Sequence, residues 1–344
     1  MSPSLAAVRP SSRGGIAWAA FLASIRAWLF LAVLLAFFET AARLAYGTSF
    51  LLSTFNLRAI AVFAVAPVLL GLGQTLVIIA GGIDLSVGFT MGFASVVAAH
   101  AANGVGGALG PGAGLAAACV AALAASVVPG VINGLLVAQL GIPPFIGTLG
   151  MYGVARGAAF LVAGGTTVPV RNSWLAWLGN GQVAGVPAVV LVALGCVAVL
   201  HYALSETRFG QYTYAIGGNE QAARRAGVDV RRVKVLLYAI SALTAGVDGI
   251  LYTGRFTAGA PQAGEPLLLD SIAAVVIGGA SLFGGSGTLT GTIIGALIIA
   301  VIQYGLVFLD VEPFWQFVAV GVVIIISVLV DQSQKRLGGG RRDE

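Results

Sequence analysis

Charge is what this sequence has least of. Only 9% of its 344 residues are Asp, Glu, Lys or Arg, against 58% hydrophobic, where a soluble domain carries about 25% charged residues. That balance, with a mean hydropathy of +0.97, excludes a soluble domain and leaves a polytopic membrane protein. Strand-like alternation is missing as well, which argues against a β-barrel and for helices, whose backbone groups bond within each segment where no water is available. Lysine is nearly absent: Lys234 and Lys335 are the whole complement. Neither stands in a G-x-x-x-x-G-K-[ST] setting, so the sequence offers no phosphate-binding loop, and an ATPase driving it has to be another polypeptide. The two cysteines, Cys119 and Cys196, lie in apolar runs and read as packing residues rather than a disulfide framework. His100 and His201 fall at the ends of apolar runs without ligand-type neighbours, so no metal site is read. No nucleophile and base constellation is present either, and no cofactor is expected on this chain. The net charge of +5 is concentrated beside apolar runs, where it serves topology and anionic lipid headgroups rather than nucleic acid.

What the sequence does have is a succession of apolar windows. At roughly 20 residues per crossing, they predict an all-α membrane protein of about ten spans: 27–46, 58–80, 85–103, 114–139, 144–164, 184–204, 234–253, 268–284, 288–309 and 314–331. Residues 1–26 are expected to form a cytoplasmic tail, 27–331 the transmembrane domain, and 332–344 a second tail. Thirteen Lys and Arg residues fall on the side shared by the termini and the 205–233 segment, while Arg43, Arg58, Arg171 and Arg255 fall opposite. By the positive-inside tendency both termini and that segment face the cytoplasm. Trp174, Trp177 and Trp315 stand where interfacial anchors are expected. Glycine is abundant, 49 residues, and Gly287, Gly291 and Gly295 recur at steps of four as a small-residue packing face. Gly81-Gly-Ile-Asp-Leu85-Ser-Val-Gly88 is echoed by Gly278-Gly-Ala-Ser-Leu282-Phe-Gly-Gly285, as shared helix-end chemistry or an internal repeat would produce.

One dense polar insert interrupts the apolar runs, and its centre spells a two-turn helix. Asn219 is a good N-cap, Glu220 and Gln221 fill the first turn, Arg224 and Arg225 the last, and Gly227 can close it in a left-handed conformation. Isolated helices this short are marginal in water and need a surface. Ala222, Ala223 and Ala226 are expected to give a bare face that seats in a partner's groove, with Gly218 at its entry and the two arginines reaching rim carboxylates. Within or beside the spans, Gln74, Asp84, Asn133, Thr148, Arg156, Asp248 and Asp270 are candidate translocation-path residues, with Gln139 and Gln303 as further uncharged polar groups. Charge inside a bilayer is costly, so the ionisable members should face the bundle interior or a wet cavity. Structural pairing of Arg156 with an acid is an equal reading, and interhelical hydrogen bonding is the commoner use of the amides.

Several blocks in order carry a family resemblance: Gly73-Gln74-Thr75 followed by Gly81-Gly82-Ile83-Asp84-Leu85-Ser86-Val87-Gly88, then Phe145-Ile-Gly-Thr-Leu-Gly150 with Arg156-Gly157. Ala215-Ile-Gly-Gly-Asn219 with Ala222-Ala223 and Gly227, and Asp270-Ser-Ile-Ala-Ala-Val-Val-Ile-Gly-Gly279, complete the set. From about residue 55 to 330 the chain resembles the ribose-type permeases of ABC importers, in the branched-chain amino acid and sugar permease superfamily. The resemblance implies a multi-pass subunit of a bacterial inner membrane that pairs with a second permease copy. It would receive a monosaccharide from a periplasmic sugar-binding protein and be driven by a cytoplasmic ABC ATPase that uses ATP and Mg. It also implies that Gly217 to Gly227 is the coupling loop. Asp248, where the family often has a small residue, and Glu265-Pro-Leu-Leu-Leu269, in place of a frequent Gly-Tyr-Glu-Leu pattern, depart from it. The alternatives are an ABC permease for a branched-chain amino acid, a nucleoside or a signalling sugar, and a carrier or channel that works alone.

Overall fold

The computed structural model describes residues 13–339; residues 1–12 and 340–344, parts of both expected tails, lie outside the described residues. In chain order the helices are α1 (Arg13–Tyr46), α2 (Thr54–Ile79), α3 (Val87–Leu109), α4 (Pro111–Ala138), α5 (Pro144–Ala163), α6 (Ser173–Asn180) and α7 (Ala188–Glu206). There follow α8 (Arg208–Gly218), α9 (Glu220–Arg225), α10 (Val230–Phe256), α11 (Glu265–Ile277), α12 (Leu289–Phe308) and α13 (Phe314–Gly339). Two antiparallel pairs of two-residue strands complete the fold: β1 (Val168–Pro169) with β4 (Ala258–Gly259), and β2 (Gln182–Val183) with β3 (Val186–Pro187). The first pair laces the loop after α5 to the end of α10, so it lies at the opposite end of α10 from α9.

Among the described residues, seven helices are long and apolar enough to cross a membrane: α2, α4, α5, α7, α10, α12 and the Arg26–Tyr46 part of α1. Helices also stand at the other three expected places, but they do not meet that standard. The span expected at 268–284 is α11, which has 13 residues and stops at Ile277; the chain then runs as loop to Thr288. The apolar part of α13 is Phe314–Ile326, and Gly, Ser, Thr, His and Asn dilute α3. α1 starts at Arg13, ahead of the expected boundary at residue 27.

Burial identifies the axis of the bundle. In α2, 83% of the apolar window is buried, against 28% in each of α4, α5 and α7, so α2 is enclosed by protein while the others turn a face outward. α10 packs across α2, α3 and α4, and α12 packs on α2 and α11. On α12, Gly291 and Gly295 lie against the carbonyls of Gly278 and Ala274 on the α11 side, where any larger residue would overlap backbone. Gly287 is not part of that face: it sits in the loop before α12.

The two echoing glycine segments end α2 and α11 in the same way. Gly81 N–H donates to Ile78 O and Gly82 N–H to Val77 O; Gly279 N–H donates to Val276 O and Ala280 N–H to Val275 O. Both are paired closures around a glycine of positive φ, which satisfy carbonyls the helix leaves open. The end of α2 also meets the loop after α11, through Gly285 N–H donating to Ile79 O at 2.8 Å.

Candidate functional site

The polar insert folds as α8 and α9, and α9 has the caps its sequence spells. The Asn219 side chain accepts from Ala222 N–H at 2.9 Å, Glu220 opens the helix, and Arg224 and Arg225 fill its last turn. Gly227 has φ of +86°, and Gly227 N–H to Arg224 O and Val228 N–H to Ala223 O, both 3.1 Å, close the helix. The bare alanine face is corrected in one respect. Ala223 is 4% exposed and packs with Ile216 and Val230 of its own chain, while Ala222 and Ala226 remain exposed. Six residues cannot hold a helix alone, so one alanine is used inward to seat it.

A second anchor had no local signal in the sequence. Lys234, near the start of α10, places Nζ 2.6 Å from Glu220 Oε2, while Arg224 Nη2 lies 3.1 Å from Oε1. The Lys234 side chain is only 16% exposed, so one of the chain's two lysines ties α9 to the helix that crosses the bundle. The hydrogen bond from Lys234, aided by Arg224, holds the Glu220 carboxyl below the usual carboxylate range against the opposing effect of burial. α8 is seated equally closely: Tyr214 Oη donates to Gly287 O at 2.7 Å, and Gly217 lies directly against the end of α2 at Ile79.

Four of the candidate path residues meet in one buried knot. Asp84, in the loop after α2, is fully buried. Its Oδ1 accepts from Ser86 N–H at 3.0 Å, Ser86 Oγ at 2.7 Å and Asn133 Nδ2 at 3.4 Å, and its Oδ2 accepts from Ser241 Oγ at 3.1 Å. Gln74 Nε2 donates to the Asp84 carbonyl, and Thr148 Oγ1 donates to Ile83 O at 3.1 Å. α2, α4, α5 and α10 are thereby stitched to one loop. Ser86 stands two residues after Asp84 and closes a local turn with it, whereas Ser241 comes from a distant helix.

The remaining candidates separate into two places. Asp248 and Asp270, 2% and 6% exposed, line a cavity of about 720 Å³ together with Gln303, Tyr252 and Phe63. Gln303 Nε2 donates to Asp270 Oδ2 at 2.7 Å. Gln74, Asp84, Asn133 and Thr148 are not among the lining residues. Arg156 departs from expectation: it is exposed on α5, and its guanidinium stands 5.3 Å from the centre of the Phe89 ring, so an aromatic face meets the cation where an acid or a wet interior was expected.

With this geometry in place, comparison with known proteins is specific. Residues 56–328 match the family described as branched-chain amino acid transport system / permease component. The chain is 39% identical over 268 residues to the ribose import permease protein RbsC of Bacillus subtilis, covering 77% of this chain and 81% of that protein. It is 36% identical over 271 residues to RbsC of Escherichia coli K12, with 78% and 82% covered. To the fructose import permease protein FrcC of Rhizobium meliloti it is 36% identical over 274 residues, with 77% and 74% covered. A family match across most of the length and seven apolar helices long enough to cross a bilayer lead to one conclusion: this chain is a multi-pass membrane protein of the branched-chain amino acid transport system / permease component family.

Proposed function

We propose that the chain is the permease subunit of an ABC importer for a monosaccharide, a ribose-like pentose or a hexose, in a bacterial inner membrane with both termini cytoplasmic. The observation that carries this reading is the similarity, across more than three quarters of the chain, to proteins named as ribose and fructose import permeases. On this reading the chain has no ATPase site of its own. A cytoplasmic ABC ATPase uses ATP and Mg, a periplasmic binding protein delivers the sugar, a second copy of the chain completes the path, and lipid surrounds both.

Coupling follows from how the insert is mounted. α9 is tied to α10 through Glu220 and Lys234, and α8 abuts the end of α2 at Gly217. Force applied by an ATPase at Gly218 to Gly227, with Ala222, Arg224 and Arg225 outward, therefore reaches α2 and α10, two largely buried long helices of the bundle, directly. ATP-driven closure then switches a central cavity between outward-open and inward-open states. A ligand shifts such an equilibrium only by its differential affinity for the two states, so sugar binds the permease weakly while the delivering protein supplies selectivity. The family description keeps one alternative in view, a related small solute such as a branched-chain amino acid or a nucleoside.

ATP hydrolysis by the co-purified assembly, with binding protein loaded by ribose, fructose, leucine or a nucleoside, tests the reading. Stimulation by a sugar-loaded protein is expected. Stimulation confined to the amino acid or the nucleoside would overturn the sugar assignment.

A further inference from the structure

Arg26 opens the apolar window of α1 and, among the described residues, makes no ion pair. It lines a cavity of about 300 Å³ between α1, the end of α11 and the start of α12, and it is the one charged group among the described lining residues. Thr288 and Thr290 add hydroxyls, and Gly278, Gly279 and Gly287 leave the floor free of side chains. A cation at the edge of a bilayer, beside an open cavity and without a carboxylate, calls for an anion from outside the chain.

The walls indicate which anion. Trp28, exposed and in the lining, has the place of an aromatic anchor at headgroup depth. Val33 and Phe37 follow Arg26 along α1 at helical spacing, and both are exposed, as is Leu29; only 22% of the α1 window is buried. About 300 Å³ is the small end of the range for ligand sites, enough for a headgroup but not for acyl chains, and the apolar stripe on α1 gives the chains a track. A soluble anion would use Arg26 and leave the stripe unused. The cavity also lies at the end of the bundle that bears α8, because Gly287 in its lining accepts from Tyr214 Oη at 2.7 Å. On the topology adopted above that end is cytoplasmic, where basic residues meet anionic lipid.

We propose that this cavity binds the phosphate headgroup of an anionic phospholipid, with Arg26 as its counter-ion and the acyl chains along α1. The bound headgroup braces the 279–287 loop on which α8 is mounted, so lipid composition bears on the coupling element. The inference is independent of which solute the chain transports.

The test is native mass spectrometry of the purified full-length permease in a neutral detergent, titrated with phosphatidylglycerol, phosphatidylcholine or inorganic phosphate. Phosphatidylglycerol is expected to fill one site ahead of all others. Binding there should weaken about ten-fold or more in Arg26→Gln and in Thr290→Glu, whose new carboxylate competes for Arg26, while Arg26→Lys stays within a few-fold of the wild type. In nanodiscs, amides of 208–218 and 279–287 should exchange more slowly in phosphatidylglycerol than in phosphatidylcholine, and Arg26→Gln should erase that difference. Thermal unfolding identifies a variant that misfolds, and the other, on a different helix, then decides. Phosphatidylglycerol affinity unchanged in the folded variants, or matched by phosphatidylcholine, would overturn the site. Inorganic phosphate binding as tightly as the lipid would assign the cavity to a soluble anion and overturn it too. Exchange that ignores the lipid would end the bracing of α8.

Discussion

Two adjacent glycines provide a matched test of how the polar insert is mounted on the bundle. A methyl group at Gly217 would overlap the carbonyl oxygen of Ile79 and lie 2.6 Å from Gly285 N, whereas one at Gly218 has nothing within 4 Å. Gly217→Ala must therefore push α8 away from the end of α2 and break the 2.8 Å bond from Gly285 N–H to Ile79 O. The lost hydrogen bond costs about 1 kcal/mol and the forced repacking about 1–3 kcal/mol. Alanine returns up to about 1 kcal/mol of helix propensity. The net is about 1–3 kcal/mol against the closed junction, or roughly a 5- to 150-fold increase in its local opening. Gly218→Ala carries no overlap and should be neutral. Hydrogen exchange on the purified protein reads this directly: amides of 208–227 and 279–287 lose protection in Gly217→Ala and keep it in Gly218→Ala. Coupled ATP hydrolysis in the assembled importer should fall with the first and not the second. Equal protection in both variants would refute the mounting proposed here.

Three further outcomes follow from the same structure. Asp84→Leu leaves the donors of Ser86 and Ser241 unpaired in a fully buried site, while Asn133 keeps its 2.8 Å bond to Ser86 Oγ, at a cost on the order of 3 kcal/mol. A lower melting temperature in detergent should appear, with partial rescue in Asp84→Asn; lost transport at unchanged melting would instead make Asp84 a path residue. Because the Glu220 carboxyl is held below its ordinary value, its ion pair contributes stability above the unfolded carboxylate range and loses it as pH falls through the folded value. Amides of 219–227 should therefore lose protection on acidification below about pH 5, and Lys234→Met should flatten that dependence; an identical acid profile in the variant would count against the pair. Gly227→Pro cannot adopt φ of +86° and removes the N–H bonded to Arg224 O. Coupled ATP hydrolysis should be abolished while helical content, read by circular dichroism, is unchanged; loss of helix throughout would locate the defect in the bundle.

What was legible in the sequence is local chemistry. α9 was readable from Asn219, Glu220, Arg224 and Gly227 because N-caps, end charges and a left-handed closure each act within a few residues. The apolar runs placed helices for the same reason. The eighth span was over-read because Ala273 to Ile277 and Ala280 to Phe283 form one apolar stretch, and nothing in hydropathy reports that Gly279 turns the chain at φ of +91°. Partners across the bundle were not readable. Ser241 to Asp84 and Lys234 to Glu220 join positions whose proximity is set by how α10 packs, and Ala223 looks no different from Ala222 until the surface beneath α9 exists. Arg156 was placed inward on the cost of a bare charge, whereas the Phe89 ring beneath it is a tertiary fact.

The central claim is that this chain moves a sugar only as part of a driven assembly. The most direct measurement is uptake of a labelled pentose and hexose panel into proteoliposomes containing the chain alone, and then the chain with an ABC ATPase, a binding protein and ATP. The account predicts uptake only in the complete set. ATP-independent uptake by the chain alone would mean a carrier and would contradict the role given to Gly218 to Gly227.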